Sequence, residues 1–266
     1  MGTQPDEADS EPTPQEPATD VAPTNLELGH EPDGASYTFS DVSVVMGTYN
    51  EEAAIATVLR DIAAVTDGNA HVICVDGSTD RTPEIAREHG ATVIAQEPQG
   101  YGVAVREALS AADSPVVVTT DCDDTYPMEQ LPEFLAAINE GYDVVSGDRL
   151  YHGADAMPDL NRYGNVAFAL LASLLMGHRV HDTTTGMRAY RREAVEAIEW
   201  TENTGLSAEL LIRPLMRGYR VRELPIEYRE RAGSSKLDPL VGGAAIAKSI
   251  VRVCLEERIG AGNENR

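Results

Sequence analysis

The sequence predicts an α/β fold, a mostly parallel central sheet with helices on its flanks. Short apolar, β-branched runs alternate with stretches of helical periodicity, the pattern of a parallel, helix-covered sheet. Three of those runs end in polar, acidic steps, at Asn50-Glu51, at Asp76 and at Asp121-Cys122-Asp123. Open α/β sheets bind ligands at that carboxyl edge. The first strand is followed by neither a Gly-x-Gly-x-x-Gly turn nor a Gly-Lys-Ser/Thr phosphate loop, so the common dinucleotide and P-loop variants are not indicated.

The elements follow in order. Residues 1–37 hold Pro, Asp, Glu and Thr in excess, no Lys or Arg, and few large apolar side chains. Such a segment cannot bury enough surface to offset its ordering entropy and reads as a disordered tail. Val42-Ser43-Val44-Val45-Met46 is a buried strand, and Ile55, Val58, Leu59 and Ile62 then recur at helical spacing. His71-Val72-Ile73-Cys74-Val75 is a second strand, and a helix runs from about Thr82 to His89. Ala91-Thr92-Val93-Ile94 is a third strand, Gly100-Tyr101-Gly102 turns into a helix ending near Ala111, and Val116 to Thr119 is a fourth strand. The expected division is a tail at 1–37, a folded domain at 38–236, and a C-terminal amphipathic helix with a short tail at 237–266.

Composition narrows the setting. The chain has 266 residues, 44 acidic against 21 basic, and a net charge of −23; Lys236 and Lys248 are its only lysines. A large negative charge keeps a protein soluble at high salt while straining the compact state, so a salt-loving host is expected. The same balance argues against nucleic acid as a partner, which calls for a basic face. Cys74, Cys122 and Cys254 show no paired or metal-like spacing, and a reduced, intracellular protein is the expectation. No signal peptide and no apolar run of about 18 residues is present.

The chemistry centres on Asp121-Cys122-Asp123-Asp124-Thr125-Tyr126-Pro127, directly after Val116-Val117-Val118. Two carboxylates at a strand end repel each other unless a cation lies between them, and Mg²⁺ takes such oxygen ligands together with substrate phosphates. The alternative is an acidic strand-to-turn loop. Asn50, Glu51 and Asp76 are likewise either turn and cap residues or acceptors for a ribose or base.

The combination is more specific than its parts. Thr48-Tyr49-Asn50-Glu51, Val75-Asp76-Gly77-Ser78-Thr79-Asp80 and the Asp121–Pro127 run occur in order, followed by Ser146-Gly147-Asp148-Arg149, Asp182-Thr183-Thr184-Thr185-Gly186-Met187-Arg188 and Arg231-Ala232-Gly233-Ser234-Ser235-Lys236. Over about residues 41–240 this series resembles family 2 glycosyltransferases of the GT-A (nucleotide-diphospho-sugar transferase) fold. Within them it resembles the dolichyl-phosphate mannose and glucose synthases, and most closely the dolichyl-phosphate hexose transferases of extreme halophiles. The resemblance implies a UDP-hexose or GDP-mannose donor, nucleotide-sugar contacts at Thr48, Tyr49, Asn50, Glu51, Asp76 and Asp121, and Mg²⁺ or Mn²⁺ at Asp121 and Asp123. Departures are Val75, where many members have a second Asp, Tyr101, where many have Lys, and Thr125, in the place of a Gln that touches metal in some mannose synthases.

The second half carries the acceptor. Arg149, Arg162, Arg188, Arg231 and Lys236 are expected around the phosphate of dolichyl phosphate, since an Arg fork matches phosphate oxygens. Arg162 and Arg231, with Asp123, are the residues expected to act in catalysis. Glu209 is either a member of the acidic positions of this half or a loop anchor. Val166, Leu170, Leu171, Leu174 and Leu175 share one broad face of a helix that is either core or lies in a membrane interface. Residues 237–255 form a second such helix, with Leu240, Ala244, Ala247, Val251 and Cys254 on one face and Lys248 and Arg252 off it. The expected activity is an inverting, metal-dependent transfer of a hexose to dolichyl phosphate, feeding surface-protein glycosylation from the inner face of the cell membrane with only peripheral attachment. Alternatives are a transferase that extends a lipid- or protein-linked glycan, and a silent GT-A module that binds a membrane surface.

Overall fold

A computed structural model of the chain describes residues 36–152, 154, 156–230 and 239–264. Most of the expected tail, and the expected boundary at 236, lie outside them. Among the described residues, β1 (Val42–Thr48), β2 (His71–Asp76), β3 (Thr92–Ala95), β4 (Val116–Thr119), β5 (Val144–Asp148), β6 (Arg188–Arg191) and β7 (Val221–Pro225) form one sheet, in the order β3-β2-β1-β4-β6-β5-β7. Every adjacent pair is parallel except the two made by β6, which runs antiparallel between β4 and β5.

Apart from the edge strand β3, the strands are largely buried on both faces, and the alternation of side chains along each one separates two cores. Val42, Val44, Met46, Cys74, Val116, Val118, Val145 and Ala189 belong to one core, with the apolar sides of α1 (Ile55–Val65), α2 (Thr82–Glu88) and α4 (Leu131–Asn139). Val45, Ile73, Val75, Val117, Val144 and Tyr190 belong to the other, with α3 (Tyr101–Ala111), α5 (Asp159–Met176), α7 (Leu206–Met216) and α8 (Pro239–Glu264). A short α6 (Arg192–Glu196) follows β6. In α1 the buried residues are Ile55, Val58, Leu59 and Ile62, the set the periodicity indicates.

Two features depart from the sequence expectation. Tyr37, assigned to the tail on composition, is fastened to the body: its N–H donates to Asn139 Oδ1 at 2.8 Å, and Asn139 Nδ2 donates back to its carbonyl at 3.0 Å. The helix expected from Val166 begins earlier, at Asp159, and ends at Met176, where Gly177 at φ 74° supplies the left-handed turn that closes it.

The core reading of α5 holds for one face only. Ala169 and Ala172 are its only buried residues, whereas Leu160, Tyr163, Val166, Leu170 and Leu174 are exposed, Leu174 at 80%. Leu171 and Leu175 turn instead toward the core. On α8 the expected face is also rotated. Cys254 is buried with Ile250 and Val253, while Val241, Val251, Leu255 and Ile259 are exposed. Lys248 is exposed as well and lies seven residues from both Val241 and Leu255, on the apolar line rather than off it.

Candidate active site at the carboxyl edge of the sheet

Parallel pairing of β1, β2 and β4 brings the three polar strand ends to one edge. Thr48 and Asp76 are register partners, and the Thr48 hydroxyl donates to Asp76 Oδ1 at 2.6 Å. Ser78 adds its hydroxyl to Oδ1 at 2.7 Å and its N–H to Oδ2 at 3.1 Å. Asp76 is thus buried and held by three donors, which fixes both loops.

The loop after β1 is stitched to the loop after β2. Asn50, in the left-handed region at φ 54°, donates its N–H to Ser78 Oγ at 2.7 Å and accepts from the Thr79 N–H at 2.8 Å. A φ of this kind suits Asn better than most residues. Glu51 donates its N–H to Thr82 Oγ1 at 2.8 Å, and Asp80 accepts from the Thr82 N–H and hydroxyl at 3.0 and 2.5 Å. Those bonds outweigh burial and hold the Asp80 carboxyl below its ordinary range. Tyr49 stands 44% exposed at the mouth of this cradle.

Beyond β4 the chain turns sharply at Asp124, φ 64°. Asp123 is 3% exposed, and its Oδ1 accepts from the Thr125 hydroxyl at 2.6 Å and the Thr125 N–H at 3.2 Å. Thr125 therefore spends its hydroxyl on orienting Asp123. Cys122 is buried and its thiol is pushed well up by burial, then by Glu51, which suits a neutral spacer. The Asp121 carboxylate packs on the backbone of Gly186: a Cβ there would lie 2.6 Å from Oδ2 and 2.8 Å from Oδ1. Gly186 is itself clamped, its N–H donating to the Tyr126 hydroxyl at 2.6 Å and its carbonyl accepting from Thr119 Oγ1 at 2.8 Å. The Tyr101 hydroxyl is pushed well above its ordinary value by burial and then by Asp121.

The arginines divide. Arg149 grips Asp182 through Nε at 2.7 Å and Nη2 at 3.0 Å, reaches Thr184 Oγ1 at 2.9 Å, and lies over the Tyr228 ring. Burial opposes the Asp182 charge, but Arg149 outweighs it and holds the carboxyl below its usual range. Arg188 is fully buried, donating to Ser146 Oγ at 3.0 Å and to the Thr183 carbonyl at 3.1 Å, with Nη1 unpartnered. Arg162 sits in the first turn of α5, pairs with Asp159 at 3.0 Å and lies over the Tyr163 ring, at the head of the exposed apolar face. Arg231 and Lys236 lie outside the described residues. The structure therefore gathers Thr48, Asn50, Glu51, Asp76, Asp121 and Asp123 at one edge, ties Arg149 and Arg188 into the layer behind it, and puts Arg162 on the helix beside the apolar surface.

Behind Arg149 lies an acidic cluster. Glu223 accepts the His181 N–H at 2.9 Å, the Asp182 N–H at 3.1 Å and His181 Nδ1 at 3.0 Å. Asp148 is 3.9 Å from His181 Nδ1 and is pushed up to about 6, first by burial and then by Glu223 and Asp182. Glu209 is a loop anchor: fully buried, it accepts the N–H groups of Thr201 and Glu202 at 3.0 and 2.8 Å and Arg213 Nε at 2.7 Å.

Sequence reasoning did not give Gly186 and Tyr126 a role. Both stand in quoted motif runs, but only the antiparallel insertion of β6 carries Gly186 under Asp121. Among the described residues no three His, Cys, Asp or Glu side chains gather as a metal cage. The donor set does fit a hard divalent cation: two carboxylates, all oxygen, one of them seated against bare backbone, leave most of the coordination to diphosphate and water.

The comparisons with known proteins agree with this geometry. The model of the glycosyl transferase family 2 matches residues 43–199. The chain is a family 2 glycosyltransferase. This glycosyltransferase is 74% identical over 223 residues to a dolichyl-phosphate hexose transferase of Haloferax volcanii, covering 84% of this chain and 98% of the relative. It is 35% identical to glycosyltransferase AglJ of the same organism, covering 79% and 71%. Among solved structures it resembles glucosyl-3-phosphoglycerate synthase of Mycobacterium tuberculosis in complex with Mn²⁺, UDP-glucose and phosphoglyceric acid, with a TM-score of 0.65, 26% identity, and coverage of 81% of this chain and 79% of that one. The fold is therefore GT-A, as expected. No helix of the described residues is long and apolar enough to cross a membrane.

Proposed function

We propose that this glycosyltransferase moves a hexose from a nucleotide sugar to dolichyl (polyprenyl) phosphate at a membrane surface, with inversion at the anomeric carbon. The observation that carries the lipid acceptor is α5, which has Arg162 in its first turn and exposes Leu160, Tyr163, Val166, Leu170 and Leu174. A water-soluble acceptor has no use for such a face, and an exposed apolar patch of this kind marks an interaction site. The high identity to a relative named for dolichyl phosphate supports the same reading.

The nucleoside would lie in the cradle of Tyr49, Asn50, Glu51 and Asp76, whose backbone the Thr48, Ser78 and Thr82 bonds hold rigid. Its diphosphate would lie over Asp121 and Asp123. A divalent cation there, Mg²⁺ or Mn²⁺, supplies charge neutralisation to the leaving diphosphate. Asp123 is aimed by Thr125, and Asp121 is fixed by Gly186, so both carboxylates are oriented before the donor arrives. Arg162, with Arg231 and Lys236, would hold the acceptor phosphate. That phosphate is already anionic near neutral pH, so the reaction needs no strongly tuned base, and positioning carries much of the rate. The bound UDP-glucose of the mycobacterial neighbour favours a uridine donor.

The test is incubation with dolichyl phosphate, Mg²⁺ or Mn²⁺, and UDP-glucose, UDP-galactose or GDP-mannose separately in molar KCl, with the lipid phase read by mass spectrometry. A hexosyl-phosphodolichol is expected with one donor. Donor binding by calorimetry without any lipid product would shift the reading to a glycan-extending transferase.

A further inference from the structure

We propose that Lys248, with Arg252 beside it, seats a phosphate of a bilayer lipid headgroup in a cavity against α8. This rests on the reading that α5 and α8 face a membrane. The cavity, about 310 Å³, opens between α8 and the loop before α7, and Thr201, Asn203, Thr204, Ser249 and the two basic residues line it.

Its charge is unusual for this chain. In a protein of net charge −23 with two lysines, Lys248 makes no ion pair among the described residues. Glu202, which also lines the cavity, is already neutralised: its carboxylate takes Arg252 Nη2 at 2.5 Å and Nε at 2.7 Å, and Ser249 Oγ at 2.6 Å. Arg252 also lies 3.8 Å from Glu256, which Arg213 binds at 2.7 Å, so the other charges around the cavity are shared in ion pairs and Lys248 adds one ammonium to them; Arg252 Nη1 has no hydrogen bond among the described residues.

Its position is that of a headgroup. Val241, Lys248 and Leu255 recur every seven residues on the exposed line of α8, with Val251 beside them. A helix lying in an interface buries such apolar side chains to the acyl boundary, while a lysine among them extends to headgroup phosphates. A protein this acidic is repelled by an anionic surface. At molar salt the Debye length is about 3 Å, so diffuse attraction from a distant basic patch would be screened. A contact site inside a cavity is the arrangement that still works there.

The experiment is co-sedimentation of the full chain with phosphatidylcholine vesicles and with vesicles doped with phosphatidylglycerol, at low and at molar KCl. At molar KCl, where the repulsion of the chain's net charge is screened, wild type should prefer the doped vesicles. Lys248→Ala should weaken binding to them about fivefold, the value of one lysine near such a surface, and weaken binding to phosphatidylcholine less, because choline already neutralises that headgroup's phosphate. Lys248→Arg should restore the preference, and inorganic phosphate should compete only weakly. Equal binding of Lys248→Ala and wild type to doped vesicles overturns the headgroup site while the membrane-facing reading stands. Full competition by inorganic phosphate makes this a free-anion site and overturns the lipid assignment. Wild type bound to neither vesicle overturns the membrane-facing reading itself, whereas loss of all binding in Leu174→Asp supports it.

Discussion

The Asp121 carboxylate rests directly on the backbone of Gly186, with no room between them for a side chain. Gly186 is held in turn by Tyr126 and Thr119, so the loop before β6 acts as a seat for the first carboxylate of the Asp121–Asp123 pair.

Gly186→Ala should therefore separate activity from stability. The methyl group meets the far end of the Asp121 side chain, which can swing away at small cost to folding. Activity should fall by about 10- to 100-fold, the usual penalty for disturbing what orients a metal ligand. Steady-state rates and a thermal melt together check it: a large loss of rate with a nearly unchanged melting temperature is expected.

Asp123→Ala should abolish turnover and metal-dependent donor binding. Thr125→Val, which removes only the 2.6 Å hydroxyl bond to Asp123, should reduce the rate more mildly and raise the metal concentration required. Titrating Mn²⁺ against rate for both variants checks the order.

Arg149→Ala should destabilise the protein by about 3–5 kcal/mol, because it strands the Asp182 carboxylate in the core. Chemical unfolding midpoints measure this. A much smaller effect would mean that Asp182 takes up a proton and is accommodated neutral.

Asp148 gives a pH dependence of defined sign. Its carboxyl is raised from 3.8 to about 6, so the fold favours the protonated form. Its contribution is fully present below its ordinary value and lost as pH rises through about 6. His181, raised mainly by its bond to Glu223, acts in the same direction, its stabilisation fading as pH rises through its folded value. Asp182 acts oppositely, stabilising at neutral pH and failing only in acid. Asp148→Asn, which keeps an oxygen for the Leu150 N–H, should stabilise the protein on the order of 3 kcal/mol above about pH 7 and little near pH 4. Melting temperatures across pH for both proteins check it.

Much of this was readable from the chain. The first four strands were legible because Val42–Met46, His71–Val75, Thr92–Ile94 and Val116–Thr119 are apolar runs bounded by polar steps, and Ile55, Val58, Leu59 and Ile62 repeat at helical spacing. Strand β6 was not, since Arg-Ala-Tyr-Arg carries no strand pattern; its arginines are buried by partners distant in sequence, such as Ser146 and the carbonyl of Ile138. The acidic edge was visible as residues, but its wiring was not, because Asp76–Ser78 and Asp123–Thr125 are local bonds whereas Asp121–Gly186 spans the antiparallel insertion. The two apolar helices were seen as amphipathic, but which face is exposed depends on what α5 and α8 pack against, and periodicity alone misassigned Cys254 and Lys248.

The most direct test of the central claim is a choice of acceptor. The protein would be given a radiolabelled UDP-hexose that it binds, divalent metal, and equal amounts of dolichyl phosphate and phosphoglyceric acid, and the organic and aqueous phases would be counted. Label in the lipid phase as hexosyl-phosphodolichol, absent with Asp123→Ala, is the predicted result. Label appearing instead on phosphoglyceric acid, with dolichyl phosphate untouched, would contradict it.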